Sequence, residues 1–365
     1  MRGALFATLY LRHALDAGHP RHVLRGLETE AAYVALIGGA KGETRAGELY
    51  QAARALTQKI GSASTRSGYK LAEAGFHAIY GRKQASSECA RVALASANPH
   101  GVSWEHAYAR FHLYQNALYI GGRAGLADEV AECVRDAHER RDRFSAATLL
   151  PMLALTRLMA DEPERAHEAL ATMQPLLSAE VFSFLHVQEL IWSALTYQYA
   201  GEPEQALALY AASSERYGTS GMPRLSTWRL LHQWGVMLAH LAALAKGLAR
   251  EPHMRAVRRG IRALEREQIG WPLPFAAVGR AALHQLLGEE RERDVQLARA
   301  IRQSEALGYT PFEHLFARSA ALFARAEERV AEHDAALRAL GIAAPARWQR
   351  TWAPCLAPGP GKDIS

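Results

Sequence analysis

The strongest constraint on this chain is the regular recurrence of helix-breaking residues. From Gly42 onward they fall at Gly42, Gly81, Gly122, Asp161 and Gly201, separated by 39, 41, 39 and 40 residues. A diffuse break at Gly247 to Pro252 and another at Gly288 follow. Between breaks the apolar residues recur at helical spacing, as at Leu49, Ala52, Ala53 and Leu56. A fixed period near 40 residues is the mark of stacked helix hairpins, each burying its open apolar face on the next. The breaks also share chemistry, since Glu-Pro stands at Glu162-Pro163, Glu202-Pro203 and Glu251-Pro252. Proline at a first helical position gives up an N–H that had no partner, and glutamate there meets the positive end of the helix dipole.

The segment Tyr197 to Tyr210 carries one whole unit: Gly201 closes a helix, Pro203 opens the next, and small Ala206 lets the two approach between Tyr197 and Tyr210. With Ala194 it resembles a tetratricopeptide repeat (TPR), although the period is longer than the usual one. The expected fold is all-α, a right-handed α-solenoid of TPR-like hairpins. Residues 1–41 form an out-of-phase entrance hairpin, because Gly18 to Gly42 spans only 24 residues. Residues 42–216 are repeats. Residues 217–340 are repeats after a bend, placed at Tyr217 to Pro223 by the 49-residue gap from Glu202 to Glu251. Residues 341–365 are a docking segment held by Trp348 and Trp352, in which repeated Pro and Gly exclude regular structure, and a mobile tail from Ala357. The residues expected to carry the repeat geometry are Gly42, Gly81, Gly122, Gly201, Pro163, Pro203, Pro252, Ala206 and Trp348.

Composition excludes several classes of function. Lys and Arg number 43 against 37 Asp and Glu, interleaved, so the formal charge of +6 gives no strong case for a nucleic-acid partner. Three cysteines without Cys-x-x-Cys spacing fit a reducing compartment. Apolar runs are interrupted well short of the ~20 residues that a membrane helix needs, and Arg12 and His13 break the signal-like start. A cytoplasmic protein without a membrane partner is expected.

No catalytic, cofactor or metal set is visible. Arg141-Asp142 lacks the Asn of a kinase catalytic loop, and residues 359–363 lack the spacer and hydroxyl of a phosphate loop. His106 and His112 are six apart, and no Cys–His ligand set exists. His77 and His284 read as core histidines, Cys89 and Cys133 as small buried hydrophobes. Two features are candidates for partner binding. Arg255, Arg258, Arg259, Arg262 and Arg266 share one face of a helix, opposite Met254, Val257, Ile261 and Leu264, tempered by Glu265 and Glu267. That stripe reads as a solvated face or an acidic-partner site, whereas Arg135, Arg140, Arg141 and Arg143 are interleaved with acids and read as ordinary surface. The aromatic series Trp104, Tyr108, Phe111, Tyr114 and Tyr119 reads as core or as a concave peptide groove, in which Asn116 would clamp a backbone amide without being needed for folding.

The segment Leu340 to Pro354 brings a further resemblance. Gly341, Ile342, Pro345, Arg347, Trp348, Ala353 and Pro354, together with Ala17, Gly18, Pro20, Ala31, Ala32, Gly38 and Gly39, make the chain similar to the C-terminal TPR-like region of large bacterial serine/threonine protein kinases carrying an AAA or signal-transduction ATPase module. The resemblance implies a non-catalytic sensor and protein-interaction array, binding protein or peptide on its concave face, with kinase and ATPase domains encoded upstream and this chain a fragment or separate piece. The alternatives are the ligand-sensing array of an ATPase-type transcriptional regulator and a free-standing TPR-like adaptor.

Overall fold

A computed structural model describes residues 2–96, 103–267 and 269–356. Among the described residues the chain is all-α, with no strand. In order, the helices are α1 (Arg2–Ala17), α2 (Pro20–Ile37), α3 (Gly39–Ile60), α4 (Ala63–Ile79), α5 (Lys83–Ser96), α6 (Ser103–Ile120), α7 (Leu126–Glu139), α8 (Arg143–Met159) and α9 (Pro163–Met173). They continue as α10 (Phe184–Ala200), α11 (Pro203–Thr219), α12 (Ser226–Ala245), α13 (Arg250–Arg266), α14 (Leu273–Leu287), α15 (Glu290–Leu307), α16 (Thr310–Phe323), α17 (Glu327–Ala339) and α18 (Pro345–Trp352). No helix among the described residues is long and apolar enough to cross a membrane.

Local chemistry sets the boundaries. Pro163 and Pro203 open α9 and α11, and Gly201 (φ +86°) caps α10 in the left-handed region. A left-handed residue follows every even-numbered helix from α2 to α16: Gly38, Gly81, Gly121, Asp161, Gly201, Gly247, Gly288 and Arg325. Four expected boundaries move. Gly42 lies inside α3, and the break belongs to Gly38 (φ +85°). Gly121 (φ +93°) takes the turn conformation expected of Gly122, whose N–H donates to Leu340 O at 2.9 Å. Pro252 is the third residue of α13, tolerated because first-turn N–H groups have no helical acceptor. Tyr217 to Thr219 complete α11, so the turn before α12 is shorter than the proposed bend. Pro345 starts helix α18 where irregular structure was expected. The expected mobile tail from Ala357 lies outside the described residues.

Even-numbered helices α2 to α14 pack successively on one another, and the odd-numbered ones cover them. Ala206 (0% exposed) shows why: it lets α11 close on α10 and α12 among Leu190, Ala194, Tyr210 and Ala239. The inner row turns back on itself, so α12 reaches α2 and α16 reaches α6. Ser226 Oγ donates to Leu36 O at 3.2 Å, and Tyr309 OH donates to Gly81 O at 2.9 Å. Gly81 (φ +81°) is required there, because a Cβ would lie 2.4 Å from Trp271 Cβ and 2.8 Å from the Tyr309 hydroxyl. α18 seals the assembly through Trp348 and Trp352, both buried.

Gly81→Ala should therefore cost roughly 2–4 kcal/mol, combining backbone strain with overpacking. Gly288→Ala, where φ is +79° and no atom lies within 4 Å, should cost only about 1 kcal/mol. Denaturant unfolding of the two variants measures the difference, and equal losses would mean that the Gly81 contact is unimportant.

Candidate ligand-binding cavity

Helices α2, α4, α6 and α12 leave a cavity of about 260 Å³ between them. Its origin lies in α4, where Gly68, Ala72 and Gly75 stand at i, i+4 and i+7 and give one face little side-chain volume. A Cβ at Gly75 would lie 3.7 Å from His112 Nε2, and one at Gly68 would lie 4.0 Å from Glu28 Oε2. Both are ordinary contacts, so crowding does not demand glycine. An ordinary core would fill this volume to native density. The walls are aromatic: Trp104, Tyr108, Phe111 and Tyr119 from α6, Trp228 from α12 and Trp271 from the turn before α14.

Three ionisable side chains border this apolar space, each only 5–6% exposed: Glu28, Lys83 and His112. Glu28 Oε1 has no hydrogen-bond partner, and the Arg25 guanidinium stands 3.8 Å from Oε2. Burial pushes the Glu28 carboxyl up to about 7; Arg25 opposes the rise and Glu105 adds to it. Lys83 Nζ donates to Ala78 O at 2.9 Å and sits 4.5 Å from the Tyr119 ring centroid, with no carboxylate within ion-pair distance among the described residues. Burial pushes it down to about 7. Neither ring nitrogen of His112 has a partner, and burial followed by the Lys83 charge pushes it down to about 3, leaving it neutral at physiological pH. Thr227 Oγ1, also on the wall, is unpartnered. Gly68 beside Glu28 and Gly75 beside His112 are seven residues apart on α4, about 10 Å at 1.5 Å per residue. The cavity thus has an acid towards one end and a basic, donor-rich region towards the other.

Buried polar atoms without partners cost about 1–3 kcal/mol each, and ionisable groups with shifted pKa values around an apolar concavity mark a candidate binding site. A larger concavity of about 660 Å³ lies beside Gly201 and Cys355. Its charged groups are largely engaged: Arg347 bonds Tyr199 O and Asp161, and Lys246 bonds Glu204.

The residues expected from sequence are dispersed. Tyr108 does line the cavity, its ring against Phe111 and His112. Asn116 does not: it is fully buried, and its Nδ2 donates to Ser86 Oγ and Ser87 Oγ, both at 3.0 Å, pinning α6 to α5. Its amide N–H groups are spent inside the fold, contrary to the expected open clamp. Arg255, Arg258, Arg259, Arg262 and Arg266 are all exposed on α13. The glutamates expected to temper them point elsewhere, Glu265 to Arg280 at 2.6 Å and Glu267 to Arg229 at 2.6 Å. Among the five, only Arg255 has an ion pair among the described residues, with Glu251 at 3.9 Å. Where a peptide groove was expected, the chain's own rings Trp234, Phe275, Phe312 and Trp352 pack on one another in tilted and edge-to-face contacts.

His77 and His284 are half-buried and hydrogen-bonded, not core: Arg82 Nε donates to His77 Nδ1 at 3.0 Å, and His284 Nδ1 is 2.6 Å from Glu289. Contrary to the sequence expectation, the fold also gathers a Cys–His–carboxylate set, with donor atoms of Glu73, His77 and Cys89 within 4.8 Å of one another. It is engaged internally. Glu73 accepts from Lys70 at 2.6 Å, Tyr69 at 3.0 Å and the Cys89 thiol at 3.3 Å, and these bonds overcome burial and hold its carboxyl below the usual range. Burial, then Glu73, pushes the Cys89 thiol up to about 12. Two cationic side chains at the cluster oppose a metal cation.

No protein-family model matches the chain, and no curated protein matches it.

Glu28, Lys83 and Trp228 were missed as site residues because they come from separate helices, and His112 was weighed only as a metal ligand. The one local signal was the small-residue stripe on α4.

Glu28 gives a pH-dependent test. Its pKa is raised on folding, so the folded state holds the extra proton between the unfolded value near 4.5 and about 7, and stability falls as pH rises through that window. Glu28→Gln removes this penalty. It should raise stability at pH 8 by the order of 2–3 kcal/mol, with a gain that shrinks towards pH 4; urea unfolding across pH measures it. Asn116→Ala should destabilise by about 1–2 kcal/mol through the two orphaned serines, where retained stability would restore the peptide-clamp role.

Proposed function

We propose that this chain is a non-catalytic, ligand-responsive helical array: a right-handed solenoid of TPR-like hairpins that takes a small molecule between α2, α4, α6 and α12. The observation that carries the reading is the set of three buried ionisable groups with unspent hydrogen-bonding capacity around an aromatic cavity. The repeat assignment draws support from the left-handed residue after each inner helix. On the sequence resemblance, the output would pass to a serine/threonine kinase with an ATPase module, or to an ATPase-type transcriptional regulator. A ligand biases such a switch only by binding its two arrangements differently. The cavity walls suit this task, since α2 and α12 come from distant parts of the chain and filling the space between them couples one to the other.

The adaptor reading is favoured by one observation, the uncompensated arginine stripe on α13. An acidic protein surface is the partner it fits.

Thermal unfolding of the chain against a small-molecule library tests the main reading. A cavity ligand at 100 times its Kd should add about 2.7 kcal/mol of stability, and Ala72→Phe, which fills the cavity, should abolish the response. Ligands that stabilise Ala72→Phe equally would place binding elsewhere and sink the cavity reading.

A further inference from the structure

We propose that the ligand is a small aromatic carboxylic acid, its carboxylate against Lys83 and His112 and its ring between the aromatic walls of α6 and α12. This deepens the ligand-responsive reading and rests on it. The argument starts from Lys83. An ammonium has three protons to donate; Ala78 O at the end of α4 takes one, and the Tyr119 ring face, 4.5 Å from Nζ, is the other partner among the described residues. A lysine that merely capped α4 would be expected to keep its head in water, whereas Lys83 is 6% exposed and borders the cavity. Its neighbour His112 also borders the cavity with both ring nitrogens unpartnered, so it supplies a further N–H in either tautomer. Two donor groups with unspent capacity on the wall of one cavity suit the two oxygens of a carboxylate.

The remaining walls fix the body of the ligand. Tyr108, Phe111 and Trp228 offer flat apolar faces, and the open volume of about 260 Å³ suits one or two fused rings with a short side chain. The opposite end disfavours a cation. Glu28 could attract an amine, but Arg25 stands 3.8 Å from that carboxylate and lies over the Trp104 ring, so an incoming ammonium would face the Arg25 charge there. A neutral alcohol or sugar could stack on the rings, yet it would leave the Lys83 charge unmatched.

A matched series of probes separates these possibilities: cinnamate, cinnamyl alcohol and cinnamylamine, titrated calorimetrically into the full chain. Cinnamate should bind at least tenfold more tightly than the alcohol, about 1.4 kcal/mol, and the amine most weakly. In Lys83→Met the preference for the acid should vanish while the alcohol still binds. Should that variant fail to fold, Lys83→Gln, which keeps a donor for Ala78 O without the charge, reads the same contrast. Equal or tighter binding of the alcohol or amine, or an acid preference that survives loss of Lys83, overturns the acid assignment and leaves the cavity reading standing. Binding of none of the three, in a chain whose folded state is verified by circular dichroism, overturns both.

Discussion

The inner helices hold together through a cluster of rings in tilted and edge-to-face contact. Trp234 of α12 lies 4.2 Å from Phe275 of α14 and 5.2 Å from Trp352 of α18, and Phe275 meets Phe312 of α16 at 4.8 Å. Tyr119 of α6 joins the same cluster at 5.8 Å from Phe312. Each such pair is worth roughly 0.5–1.5 kcal/mol beyond the area it buries, and truncating a buried Trp or Phe to Ala typically costs 3–5 kcal/mol. Five helices from across the chain therefore share one packing unit. Without it the helices that carry these rings would present apolar surface to water.

Closure fixes the position of the segments that bound the cavity. Because α16 returns to α6 and α12 returns to α2, Trp271 and Trp228 are brought against α4 and α6, and the space left beside the small face of α4 becomes a walled, partly open pocket. The C-terminal segment secures the arrangement by hydrogen bonding. Ala343 N donates to Met159 O at 2.8 Å, Arg347 bridges Tyr199 O and Asp161 at 3.1 Å, and Gln349 bonds Ser319 Oγ at 2.7 Å. These contacts tie α8, α10 and α16 to the C-terminal segment.

The two buried regions are built in opposite ways. The aromatic cluster is made of neutral rings: the Tyr309 hydroxyl bonds Gly81 O, and the buried indole N–H groups of Trp234, Trp348 and Trp352 have no partner. The cavity carries an acid, a lysine and a histidine with unspent capacity, and two of their pKa values are pushed towards neutrality by burial. Those groups lower the stability of the folded state in isolation. Replacing Glu28 with a neutral side chain would stabilise the chain above pH 7, which is the common relation between stability and a binding site.

The order of helices was legible in the sequence because it rests on local chemistry. Pro163 and Pro203 open helices wherever they occur in such a context, Gly201 closes one, and Ala206 permits close approach by its size alone. The helical face carrying Arg255 to Arg266 was legible for the same reason, since 3.6-residue periodicity depends only on neighbours. What only the tertiary structure decided is where the row turns back. That choice joins Gly81 to Tyr309 across 228 residues, buries Asn116 on two serines, draws Glu265 and Glu267 away from the arginines, and sets Lys83, His112 and Glu28 around one space. None of these follows from spacing along the chain, because each is fixed by which helices meet, and that is settled by the packing of rings contributed from α6, α12, α14, α16 and α18 together.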